Sequence, residues 1–191
     1  MDENNFYEKE ELLEQLDRHL DSIKSCDTKA SIVLGVIGIF LTIFASDSSI
    51  KMLNLVFSEV FQNFNFSNLL YLLLFALSLY FFIYGAYSLI RVLVPRLSKE
   101  AQTYHGIHKD SLYFFENIAQ NSFFEFKEKL ASRTEEDKVN DILSQIFINA
   151  KICTVKYSLY NRGIKFSFLG IAGILILYVI GIILSKLGGF S

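Results

Sequence analysis

The side chains of this sequence with most chemical potential are few, and they gather beside apolar runs. Asp27 and Lys29 stand just before one run, and Asn149, Lys156, Tyr157 and Arg162 stand before another. A carboxylate, cations, an amide and a phenol in that arrangement suit a small anionic ligand. They suit better a buried ion pair that locks two helices in register, because an unpaired charge on a helix seam costs several kcal/mol. Counted by depth from the runs, Arg162 is the expected partner of Asp27, each about one turn from its span. His105 and His108 lie three apart beside Gly106, but no third ligand is near, so a solvated loop is expected and no metal is assigned. His19 is expected on the polar side of a helix. No phosphate-cradling glycine loop, nucleophile elbow or HExxH pattern occurs, and no nucleophile has a base at helical spacing, so no enzyme and no cofactor are expected. Cys26 and Cys153 show no metal or disulfide spacing and fit a reducing compartment.

The elements that must position these groups follow from where the apolar residues fall. The chain is 52% hydrophobic with one proline, Pro95, and its net charge of −2 shows no basic excess that would favour a nucleic acid polymer. Residues 30–45, 69–90 and 166–185 form uncharged runs of 16, 22 and 20 residues. A hydrocarbon core of about 30 Å needs about 20 residues of helix, so three spans are expected, the first of them short. Lys9, Arg18, Lys24 and Lys29 precede the first span, only Lys51 follows it, eleven Lys and Arg lie between residues 95 and 165, and Lys186 alone follows the third. The bias of positive charge places the N-terminus and the middle segment in the cytoplasm and the C-terminus outside. The expected organisation is a cytoplasmic amphipathic helix at 1–29, spans at 30–46, 69–91 and 166–186, an external loop at 47–68, a cytoplasmic helical segment at 92–165 and an external tail at 187–191. The fold class is all-α.

Leu13, Leu16, Leu20 and Ile23 recur at helical spacing and continue through Asp27, Ala30 and Leu34, so the N-terminal helix should run unbroken into the first span. Thr134 followed by Glu135, Glu136 and Asp137 marks a second helix start. Its stripe is Ile142, Ile146, Asn149, Cys153, Lys156, Tyr160 and Gly163, leading into the third span. Residues 111–119 and 122–130 read as short helices, the latter opened by a Ser122/Glu125 capping box. Tyr113, Phe114, Phe115, Phe123, Phe124 and Phe126 should pack on the long helices or on the membrane surface. The tyrosines of the spans suit interface belts or packing. Gly35 with Gly38 and Gly170 with Gly173 are small-residue faces suited to close helix contact, within the chain or between copies.

Asp27-Thr-Lys29-Ala30-Ser31 entering a span, Leu112-Tyr-Phe-Phe115 with Ile118-Ala119, and Asp141-Ile-Leu-Ser-Gln145-Ile-Phe-Ile-Asn149 leading to Lys156-Tyr157 resemble the transmembrane effectors of Pycsar anti-phage systems. The resemblance runs from about Leu12 to the third span. It implies a multi-pass protein of the bacterial inner membrane whose partner is a uridylate or cytidylate cyclase. It also implies activation by a cyclic pyrimidine mononucleotide, cCMP or cUMP, and an activated state that impairs the membrane and ends the infected cell. The 92–165 segment is then the sensor, the lipid bilayer is the target, and a homo-oligomer is expected. A non-catalytic scaffold or subunit of a membrane complex is the alternative. The resemblance transfers no binding residues, so the candidates remain Asp27, Lys29, Asn149, Lys156, Tyr157 and Arg162.

Overall fold

The computed structural model describes residues 9–63, 65–95 and 111–190. Among these residues the fold is all-α, in the order α1 (Lys9–Phe44), α2 (Asp47–Gln62), α3 (Phe66–Leu93), α4 (Phe115–Ala119), α5 (Phe123–Ser132) and α6 (Glu135–Leu187). Three of them, α1, α3 and α6, are long and apolar enough to cross a membrane. The chain is a membrane protein with three candidate spans.

Local chemistry accounts for the helix ends. α1 meets neither proline nor glycine before Gly35 and runs 36 residues, about 54 Å, as one helix. Ser46 then caps α2 in extended backbone, its side chain accepting from the Ser49 N–H. α3 ends just before Pro95, which disfavours helix in the residue ahead of it. α5 opens on the Ser122/Glu125 box with both reciprocal bonds made. α6 opens similarly: the Asp137 N–H donates to Thr134 Oγ1 at 3.2 Å, and the Thr134 N–H donates to Asp137 Oδ2 at 3.0 Å.

Two departures from expectation have physical causes. Residues 47–62, taken for loop, form a four-turn helix whose Val56 and Val60 are buried. Residues 111–114, taken for helix, are not helical, because the Leu112 N–H is bonded to the Asp141 carboxylate and Ser111 Oγ accepts from Gln145. α4 therefore starts only at Phe115.

The chain divides into two units. The first, a polar unit, comprises Met1–Asp27 and Val94–Tyr157. Its core is Leu12 and Leu16 against Ile142 and Ile146, with Leu13, Val139 and Leu143 packed around them. Lys9 pairs with Glu135 at 3.9 Å, and Asp27 pairs with Lys156 at the other end, so these stretches of α1 and α6 run parallel. On α1 the inward line is Leu12, Leu16, His19, Ile23 and Cys26, with His19 and Ile23 half-buried. Leu20 is exposed and His19 takes the seam, reversing the expected placement of both. The helix is turned by about one residue, which brings the small Cys26 inward. On α6 the line is as expected: Ile142, Ile146 and Lys156 are buried, and Asn149 and Cys153 half-buried. Both lines alternate spacings of three and four, the 3.5-residue period of a supercoiled helix pair.

The second, a span unit, comprises Thr28–Leu93 and Ser158–Ser191. Here α3 and α6 run antiparallel and nearly touch through their backbones. A Cβ added to Gly170 would stand 2.6 Å from the Cα of Phe82, and one added to Gly85 would stand 2.8 Å from the carbonyl carbon of Phe166. Gly163 faces Leu89, Gly173 faces Ser78 and Gly181 faces Tyr71, so falling numbers on α3 meet rising numbers on α6. Gly170 and Gly173, candidates for contact between copies, are thus occupied within the chain, whereas Gly35 and Gly38 have nothing within 4 Å. Phe40 of α1 meets Phe82, and Phe44 meets Tyr178, with ring centroids 5.9 and 5.5 Å apart. The buried Tyr71 donates its hydroxyl proton to the Leu177 carbonyl at 2.9 Å, a packing role, while Tyr80 and Tyr87 are exposed. Outward rows such as Ile32, Val36, Ile39 and Ile43 are apolar and exposed, as lipid-facing surfaces are.

Candidate ligand-responsive site

The chemistry lies on the α1/α6 seam of the polar unit and on the segments laid against it. Lys156 is an inward position of α6, with a side chain only 4% exposed, and its Nζ donates to Asp27 Oδ1 at 2.5 Å. Depth counting had assigned Asp27 to Arg162. Arg162 lies six residues further along α6 and is exposed. Parallel helices in coiled-coil register pair residues by their place on the seam, and that register selects Lys156.

The other expected residues are only partly gathered. Asn149 is half-buried on the same seam, two turns before Lys156, and its Nδ2 donates to the Gln145 carbonyl at 2.9 Å. Tyr157 is half-buried beside Lys156. Lys29 is exposed on α1 and, with Arg162, belongs to the span unit. Asp27, Asn149, Lys156 and Tyr157 therefore share the polar unit. His105 and His108 lie outside the described residues, and among the described residues no group of three His, Cys, Asp or Glu could hold a metal.

Sequence reasoning missed a second centre a little over four turns before Lys156. Asp141 is fully buried. Its Oδ2 accepts from Arg133 Nη1 at 2.5 Å and from the Leu112 N–H at 2.9 Å, while its Oδ1 has no hydrogen-bond partner. The Arg133 side chain is only 11% exposed. One turn on, the buried Gln145 donates from Nε2 to Ser111 Oγ at 3.0 Å, and Ser111 Oγ also accepts from the Tyr113 N–H at 3.2 Å. One carboxylate thus ties together the 111–114 segment, the α5–α6 link and α6. The signal was in the sequence: Asp141 and Gln145 are spaced four apart, next to Ile142 and Ile146 of the stripe, so they share its inward side. No apolar periodicity marks them, and Arg133 is eight residues away in a link.

Both centres have the same form, a cation largely out of water paired with a carboxylate of the chain, which is fully buried at Asp141 and partly exposed at Asp27. Such a cation is a strong anion receptor only when its carboxylate yields, so binding and rearrangement are coupled. In the same unit Tyr113, Phe115, Phe123 and Phe124 are exposed, while Phe114 and Phe126 are half-buried, so of the six aromatics expected on the long helices or on the membrane surface most are not covered by the long helices. Burial raises the pKa of the Cys153 thiol on the seam, keeping it protonated.

Comparison with known proteins identifies the family. Residues 11–185 match the model of the Pycsar effector protein domain. The chain is also 32% identical over 167 residues to the Pycsar effector protein GmPycTM of Gulbenkiania mobilis, covering 82% of this chain and 84% of the relative. No solved structure matches. With three candidate spans, an ion-paired polar unit and a family match across nearly its whole length, this chain belongs to the Pycsar effector family and is by that membership an anti-phage defence effector.

Proposed function

We propose that this effector is switched on by a cyclic pyrimidine mononucleotide, cCMP or cUMP, supplied by a partner cyclase, and that it then impairs the bacterial inner membrane and ends the infected cell. The match to the Pycsar effector domain over residues 11–185 carries this reading. The distribution of Lys and Arg supports a cytoplasmic N-terminus and middle segment and a periplasmic C-terminus, which puts the polar unit where such a nucleotide is made.

The polar unit supplies the chemistry that the ligand needs. A cyclic mononucleotide presents one negative charge and a flat base, for which a cation and an aromatic face are suitable partners. Lys156 and Arg133 are the buried cations, each held by a carboxylate. A phosphate that draws either cation away from Asp27 or Asp141 loosens a tie that the resting protein depends on. The ligand shifts the equilibrium by the difference in its affinity for the two arrangements. Copies of the chain then associate, and the open Gly35 and Gly38 face of α1 suits close helix contact.

The test is to express the protein in bacteria with an active pyrimidine nucleotide cyclase or its inactive mutant and to follow membrane potential. Depolarisation only with the active cyclase is the expected result, and cCMP-forming and cUMP-forming enzymes separate the two ligands. Depolarisation that ignores the cyclase would overturn the proposal.

A further inference from the structure

Residues 45–66 connect two spans, yet α2 does not behave as a water-borne connection. We infer that α2 is an interfacial helix, lying in the leaflet on the side where α1 ends and α3 begins, with its free apolar flanks against lipid acyl chains.

Depth comes first. The inner face of α2 packs on residues at and inside the ends of the apolar runs: Phe57 and Phe75 stack edge-on with centroids 5.2 Å apart, and Val56 and Val60 share a buried cluster with Tyr71, Leu177 and Phe190. Phe75 is six residues, about 9 Å, into the run that starts at residue 69, and Leu177 is eight residues, about 12 Å, before the end of its run. A helix about 10 Å wide that touches those side chains stands beside the spans, at the level of the hydrocarbon edge.

Surface pattern comes second. Asp47, Lys51, Asn54, Ser58 and Gln62 recur at spacings of four, three, four and four, and all are exposed, so they form a polar stripe, with Ser48 and the half-buried Glu59 beside it on the Leu55 side. Leu55 and Phe61, on either side of that stripe, are more than half open, at 57% and 64% exposed, and Phe66 in the first turn of α3 is 81% exposed. A helix with one polar stripe and apolar flanks matches the membrane surface, with the stripe toward headgroups and the flanks in the acyl region.

Backbone satisfaction comes third, because polar main-chain groups left open at that depth are costly. Ser46 caps the start of α2, and at its end the Asn63 N–H donates to the Glu59 carbonyl. The buried Asn68 donates from Nδ2 to the carbonyls of Asn63 and Phe190, closing the turn into α3 and the last turn of the chain from within. A connection meant for water would not need an internal donor for these carbonyls.

The chain has no tryptophan, so one substitution gives one emitter. Full-length Phe61→Trp and Ser58→Trp proteins, without nucleotide, are reconstituted into vesicles containing lipids brominated on the upper acyl carbons. Phe61→Trp is expected to emit to the blue of Ser58→Trp and to be quenched about twofold more by bromine, with Ser58→Trp favouring quenching by aqueous acrylamide. Acrylamide quenching of Phe61→Trp as strong as that of Ser58→Trp would place the flank in water and overturn the inference. Blue emission insensitive to bromine would mean that protein, such as a second copy, covers the flank, and would overturn it as well. Leu55→Trp, on the opposite flank, gives an independent reading if Phe61→Trp loses helix content.

Discussion

Along α6 one three-four spacing serves two opposite ways of holding helices together. In the polar unit the seam carries Ile142, Ile146, Asn149, Cys153 and Lys156, none of them glycine. In the span unit it carries Gly163, Ser167, Gly170, Ile174, Leu177 and Gly181, half of them glycine. Water makes the difference. Burying large apolar groups is favourable when they leave water, so the polar unit gains from its Leu and Ile core. Lipid offers no such gain, and the span unit relies instead on close backbone approach, which small residues permit. The first mode tolerates ion pairs on its seam, and the second leaves no charge to pair.

Substitutions that remove one half of a buried charge pair should expose this contrast most strongly. Arg133→Ala is expected to cost the polar unit about 4 kcal/mol, since it strands the buried Asp141 carboxylate, and Arg133→Ala with Asp141→Leu should recover much of that loss. Thermal melting of the detergent-solubilised protein, with hydrogen exchange to locate the loss, checks both. Asp27→Ala should cost about 3 kcal/mol, less than Arg133→Ala because the Asp27 carboxylate is partly exposed. The double exchange Asp27→Lys with Lys156→Asp should restore part of that stability, and a double exchange of Asp27 with Arg162 should not.

The glycines provide the matching test in the span unit. Gly170→Ala is expected to destabilise by about 2 kcal/mol through overpacking against Phe82, and Gly35→Ala, with open space around it, to be neutral or slightly stabilising. Resistance to unfolding in mixed detergent reports the difference. The smallest effect concerns α5. Ser122→Ala removes the cap and should cost about 1 kcal/mol locally. Bonds from the Ser122 backbone and hydroxyl hold the Glu125 carboxyl below its usual range. Its stabilisation is therefore present above the ordinary glutamate pKa and is lost as pH falls through the lower folded value. Amide protection in α5, corrected for the intrinsic slowing of exchange in acid, should fall from neutral to acid pH in the wild type and change less in Ser122→Ala.

The parts of this structure that were legible in the sequence are those carried by periodicity. The α6 stripe, the continuity of α1 into its span, the Ser122/Glu125 box and three spans all follow from apolar spacing or cap chemistry. What stayed hidden depended on tertiary choice. Leu12 and Leu13 are equal as residues, and only the partner helix decides which faces inward. Lys156 and Arg162 are equal as charges, and only the parallel register decides which meets Asp27. Asp141 and Arg133 are eight residues apart with no shared period. The helix at 47–62 was obscured because residues between two spans invite reading as loop, although its polar stripe was there to count.

The backbone contact between α3 and α6 has a consequence for reliability. Where Gly170 lies on Phe82 and Gly85 on Phe166, a slight separation forfeits contact along the whole seam, and no longer side chain can bridge the gap. Packed interfaces of this kind hold one arrangement or another and do not drift between them. For a defence effector, that all-or-none character favours discrete arrangements of the spans over gradual drift.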